Sequence, residues 1–178
     1  MTDEEIYTIK ECRVMVVGTP HFTGYVLPEL ERIGFRDIQT GCDPAALGEL
    51  SPINIIAEYG GNEESCLKHI KEIKTPVIYP FDFVRGAGAM VMMPGDDMEP
   101  LAQPDLRLWA AEYISGYCAF WNMEGCDWLG EALPEIRAGV VSETAQQLAA
   151  HICARIAANI AVGREVKHFP RFYLAESK

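Results

Sequence analysis

The chain has 178 residues, 49% hydrophobic and 23% charged, which is the composition of a folded domain and not of a disordered segment. Its formal net charge of −11 argues against nucleic acid as a partner, because phosphate binding needs a clustered basic surface. The acidic start Met1 to Glu5 lacks the pattern of a signal peptide and no apolar run reaches bilayer-spanning length, so a cytoplasmic location without membrane contact is expected.

In chain order, residues 1–11 read as a short helix or arm before a first strand, Arg13 to Val17, whose apolar run suits burial on both faces. Gly18-Thr19-Pro20 ends that strand. From Thr23 a helical pattern runs through Val26, Leu27, Leu30 and Ile33 and stops at Gly34. Arg36 to Thr40 reads as a second strand nearer an edge, Asp43 to Leu50 as one or two helical turns, and Ile53 to Ala57 as a third strand. Asn62 caps an expected helix over Glu63–Ile73, and Thr75 to Pro80 gives a fourth strand.

Beyond this point the rhythm changes. Ala89 to Met93 reads as a strand entered through Gly86-Ala87-Gly88, and Asp96 to Pro104 as a loop. Asp105 to Phe120 is helical in pattern, while 121–138, with Gly125, Gly130 and Pro134, reads as irregular. Ser142 caps an alanine-rich helix that Gly163 ends, and Phe169 to Ala175 reads as a final strand. Strands alternating with helices predict an α/β fold: a mostly parallel, Rossmann-like sheet flanked by helices, with an extra C-terminal strand region, all in one domain over 1–178. The six cysteines show no C-x₂₋₄-C spacing, so reduced, buried thiols are expected and no metal site.

Three stretches, in order, resemble the ThiF/MoeB/ubiquitin-activating family. RVMVVG, followed by a helix and GFRDI, is similar to that family's opening strand, turn, helix and second strand. TPVIYPFDFVRGAGAMVMMPG resembles its fourth strand, its glycine-containing turn into an extra strand and the closing Pro-Gly. AGVVSETAQQLAAHICARIAANIAVGRE looks like the entry to its alanine-rich helix.

The resemblance implies ATP with Mg as cofactor and adenylation of a small-molecule or protein carboxylate as the inherited chemistry. It also implies a homodimer or a homologous partner subunit. The expected nucleotide-contacting residues are Gly18, Thr19, His21 and Gly24 in the first turn, Asp43 after the second strand as ribose ligand, and Glu58 at the third strand's end, where the family's metal-binding acid falls.

The chain departs from the family's pattern at Pro20 and His21, where the family has Gly-Gly. It also has no Arg or Lys between Arg36 and Lys68. A non-catalytic, dimerising member is therefore a rival reading, with helix 142–162 and strand 89–93 as its interface. An NAD-binding Rossmann protein is another, although Gly41 stands where that class ends its second strand in an acid.

Three residues are candidates for chemistry. His21 is either an acid/base or ligand contact at the first crossover, or a surface turn residue. Arg85 either binds an anion beside Gly86-Ala87-Gly88 or belongs to a structural turn. Cys126, with Cys118, lies near where relatives carry a thioester- or persulfide-forming cysteine, and burial for packing is the competing role for Cys118. Trp109, Trp121 and Trp128 are expected to anchor the C-terminal helix on the sheet.

Overall fold

A computed structural model of the chain describes residues 1–41, 51–57, 74–97 and 103–178. The expected helical turns at 43–50 and the helix 63–73, together with Asp43 and Glu58, lie outside the described residues.

The elements are α1 (Asp3–Glu11), β1 (Arg13–Val17), α2 (Pro20–Ile33), β2 (Asp37–Gly41), β3 (Ile53–Ile56), β4 (Val77–Asp82), β5 (Gly86–Met92), α3 (Leu106–Phe120), α4 (Asp127–Arg137), α5 (Glu143–Ala161) and β6 (Tyr173–Glu176). The strands form one sheet in the order β2-β1-β3-β4-β5-β6. The first four are mutually parallel, with Val17 opposite both Gly41 and Ile56. β5 and β6 then run antiparallel. The protein is thus a mixed α/β, Rossmann-like fold: a mostly parallel sheet with an antiparallel C-terminal pair.

Alternation along the strands divides the core into two faces. Met15, Val17, Ile56, Tyr79, Phe81 and Met92 pack with the buried residues of α3 and α4. Val14, Val16, Ile55, Ile78 and Val91 pack with those of α2 and α5, and with Ile9 of α1. A continuous apolar strand such as β1 satisfies both faces at once, and four of its five residues are buried.

Several boundaries differ from the sequence reading. α2 starts at Pro20, not Thr23. Thr19 is its N-cap and Pro20 supplies a first-turn φ without needing a donor. β4 begins and ends two residues later than expected, β5 starts three residues earlier, and the two meet in a tight hairpin, where Val84 takes a positive φ of 66° and Phe83 N–H donates to Gly86 C=O at 3.0 Å. Residues 127–137, expected to be irregular, form α4. Gly130 and Pro134 hide an apolar face of Trp128, Leu129, Ala132 and Ile136 that buries itself against α3 and the sheet. β6 is confined to Tyr173–Glu176.

The interface expected on the alanine-rich helix and the Met-rich strand is internal. Ala149, Ala150, Ala154 and Ala157 of α5 are buried, as are Met90 and Met92 of β5. The small side chains let α5 lie close to α2 and the sheet. The tryptophans also depart from expectation: Trp128 is buried on the α3–α4 face, opposite α5, and Trp121 is exposed.

Cys153 sits in that α5 contact with no exposed surface, and burial pushes its thiol well above the ordinary range. A buried group that stays protonated when folded but ionises when unfolded makes stability fall with rising pH. The loss starts near the unfolded thiol's pKa of about 8.5 and approaches about 1.4 kcal/mol per pH unit per thiol. Urea denaturation at neutral and at alkaline pH should therefore show a steeper alkaline loss for the native chain than for Cys153→Ala. Equal slopes would refute it.

Candidate functional site

The parallel strands end at one edge of the sheet, where loops of an α/β protein hold ligands. Gly18, directly after β1, is the pivot of that edge. Its N–H donates to Gly41 C=O at 3.1 Å, and Ala57 N–H donates to Val17 C=O at 2.8 Å, so the ends of β1, β2 and β3 are laced together. A Cβ on residue 18 would stand 2.9 Å from the Ala57 Cβ. The glycine is therefore required for close strand-end packing, whatever ligand approaches.

Beside this edge lies a pocket of about 490 Å³, within the range of small-molecule sites. Phe22, Ala57, Pro80, Ile136, Val141 and Ala149 give it apolar walls, while Thr19, Asp82, Asp105, Arg107, Arg137 and Gln146 bring polar atoms to it. Gln146 and Ala149 come from the first turns of α5, and Arg107 from the start of α3.

Asp82, the last residue of β4, is the centre of the polar wall. One carboxylate oxygen accepts from Val84 N–H at 2.8 Å. The other accepts from Ser142 N–H at 2.8 Å and from the Gln146 side-chain amide at 3.2 Å. The Arg107 guanidinium stands 3.6 Å from the carboxylate, and both side chains are more than nine-tenths buried. Arg107 also donates to the backbone carbonyls of Asp82 and Val140. One ion pair thus ties the hairpin, α3, α5 and the 138–141 connection into a single wall.

The expected residues divide around this pocket. Thr19 lines it, and its hydroxyl accepts from Phe22 N–H at 3.3 Å as the α2 cap. His21 turns away: Nε2 lies 3.1 Å from the Tyr25 hydroxyl and 3.5 Å from Glu143, more than half exposed. Gly24 sits inside α2 with no atom within 4 Å of where a Cβ would project. The Arg85 guanidinium is held on the outer surface by Glu135 at 2.7 Å and Glu131 at 3.3 Å of α4, so the turn's cation already has its anions. Cys126 lies at the start of α4, away from the pocket.

The sequence reading missed Asp82, Arg107, Arg137 and Gln146. An acid at a strand's carboxyl end was the available signal for Asp82, obscured by ending the strand at Pro80. The others carry no motif.

The donors here do not suit a magnesium triphosphate. Pro20 has no N–H and the Phe22 N–H is already capped, so the α2 N-terminus offers little to a phosphate. The charge of Arg107 is offset by Asp82. Arg137, the other cation of the wall, is 60% exposed and 3.4 Å from Glu112. Among the described residues no group of three His, Cys, Asp or Glu could hold a metal ion. Nor is any helix among them long and apolar enough to cross a membrane.

No family model matches the sequence, and no curated protein matches it. Among solved structures, the chain is similar to a heterocyclase determined with substrate and cofactor, at 13% identity and a TM-score of 0.49. The match covers 89% of this chain and 20% of that one, so the chain spans about a fifth of that protein's length. A likeness at this level says nothing of ligand or reaction here.

Proposed function

We propose that the chain is a ThiF-like, Rossmann-type domain that binds a small ligand of modest charge, of the adenosine monophosphate type, in the pocket at the carboxyl edge of its parallel strands. The observation that carries this reading is the pocket itself. Apolar walls suited to a flat ring system meet a polar wall in which Thr19 and Arg137 remain able to donate and the Gln146 carbonyl remains able to accept. The same balance of two arginines against two aspartates favours a monophosphate, or an uncharged ligand, over a triphosphate.

Calorimetric titration with AMP, Mg·ATP and NAD tests it. AMP should bind saturably and more tightly than Mg·ATP. Arg137→Gln, a change at an exposed side chain, should weaken AMP several-fold without altering the unfolding midpoint. Absence of heat with all three at millimolar concentration would rule the reading out for the isolated chain.

A second reading, a non-catalytic subunit that pairs with a homologue, is favoured by one observation. Phe120, Trp121 and Met123 stand exposed together at the end of α3. Sedimentation velocity separates the two, since this reading requires self-association or a stable mixed species.

A further inference from the structure

Two polar groups of the pocket keep hydrogen-bonding capacity that the fold leaves unused, and both lean on Asp82. The Arg107 side chain lines the pocket and is 8% exposed. Its Nε–H donates to the Asp82 carbonyl and its Nη2–H to the Val140 carbonyl. Nη1, which carries two further N–H groups, makes no hydrogen bond among the described residues. A guanidinium buried this deeply meets free space through the pocket that it lines. Donors left there are costly unless something accepts from them.

Gln146 is fixed by the same carboxylate. Its Nε2 donates to Asp82 Oδ2 at 3.2 Å. A carboxylate only accepts, so the amide cannot reverse, and its carbonyl oxygen is the atom left for the pocket. Asp82 is itself held by Val84 N–H from the hairpin and by Ser142 N–H from the start of α5, both at 2.8 Å. The Arg107 donor and the Gln146 acceptor therefore stand on one braced support, within otherwise apolar walls.

We propose, on the strength of the nucleotide reading above, that this pair recognises the edge of an adenine ring. The ring nitrogen beside the amino-bearing carbon accepts from Arg107, and the amino group donates to the Gln146 carbonyl. Asp82 acts as the positioning residue for both. A donor and an acceptor set on one wall complement an edge that carries an acceptor and a donor side by side. Phe22, Pro80, Ile136 and Val141 supply apolar surface for the faces of the ring. Arg137, 60% exposed, is left at the mouth for the phosphate.

Because Arg107 cannot be truncated without stranding Asp82, the test changes the ligand and leaves the wall intact. Calorimetric titrations of the native chain compare AMP with two analogues. One is purine riboside monophosphate, which lacks the amino group. The other is the deaza analogue with C–H in place of the ring nitrogen beside the amino-bearing carbon. Each should bind about ten-fold more weakly than AMP, since each leaves one pocket group without its partner.

Gln146→Met, similar in length, should lower the affinity for AMP about ten-fold and bring the amino-free analogue level with AMP. The penalty on the deaza analogue should persist in that variant. This split distinguishes a direct contact from general damage to the pocket. Equal affinities of the native chain for all three ligands would overturn the proposal and leave the nucleotide reading standing. Failure of AMP itself to bind would overturn both. The ligand series on the native chain decides the matter even where Gln146→Met fails to fold.

Discussion

Asp82→Ala is expected to cost about 3–5 kcal/mol of folding stability, the range for removing one member of a buried ion pair. The physical loss is specific. Arg107 stays buried with its counter-charge gone, while Ser142 N–H, Val84 N–H and the Gln146 amide lose their acceptor. The cost of a stranded charge exceeds that of the missing attraction, so the double change Asp82→Ala, Arg107→Met should recover part of the loss. Guanidinium unfolding of the native chain and of the single and double variants measures this. A single-variant loss below about 1 kcal/mol would mean that water already reaches the pair. Comparison with Arg137→Gln separates structure from binding, because that change leaves the Asp82–Arg107 pair intact.

Gly86→Ala should be the most damaging single methyl addition at a described glycine. The new Cβ would stand 2.3 Å from the Ala175 carbonyl oxygen and 2.4 Å from the Trp128 ring. One obstacle is the backbone of the β6 partner strand and the other is a buried indole, so neither can yield cheaply. Overpacking of this kind costs about 3 kcal/mol, and the strain should show as loss of β6 pairing in amide exchange. Gly24→Ala is the matched control. Its Cβ meets nothing within 4 Å, and alanine suits a helix better, so stability should rise by about 0.5–1 kcal/mol. A neutral Gly86→Ala would show that β6 and Trp128 are more loosely held than their contacts indicate.

The sequence exposed the fold more readily than the pocket. Runs such as Arg13 to Val17 and the Ser142-to-Gly163 helix carry their period, cap and stop in adjacent residues, so they read correctly from pattern alone. α4 did not, because Gly130 and Pro134 suggest a break, while the packing of Trp128, Leu129 and Ile136 against α3 overrides them. The pocket's polar wall was less accessible still. Asp82, Arg107 and Gln146 are far apart in the chain and meet only because β4, α3 and α5 converge. Single-residue signals also misled: His21 and Arg85 carry chemistry by type, but Tyr25 and Glu143 occupy the first, and Glu131 and Glu135 the second.

The position of β6 bears on how the chain is made. β5 is buried along its whole length, and β6, which pairs with its outer edge, is synthesised only after α3, α4 and α5. Until then a nascent chain presents an apolar, glycine-rich strand with unpaired amides, the kind of template on which two unfinished copies could pair. Release or pausing before Tyr173 should therefore yield aggregates, and a short peptide matching β6 supplied in trans should suppress them.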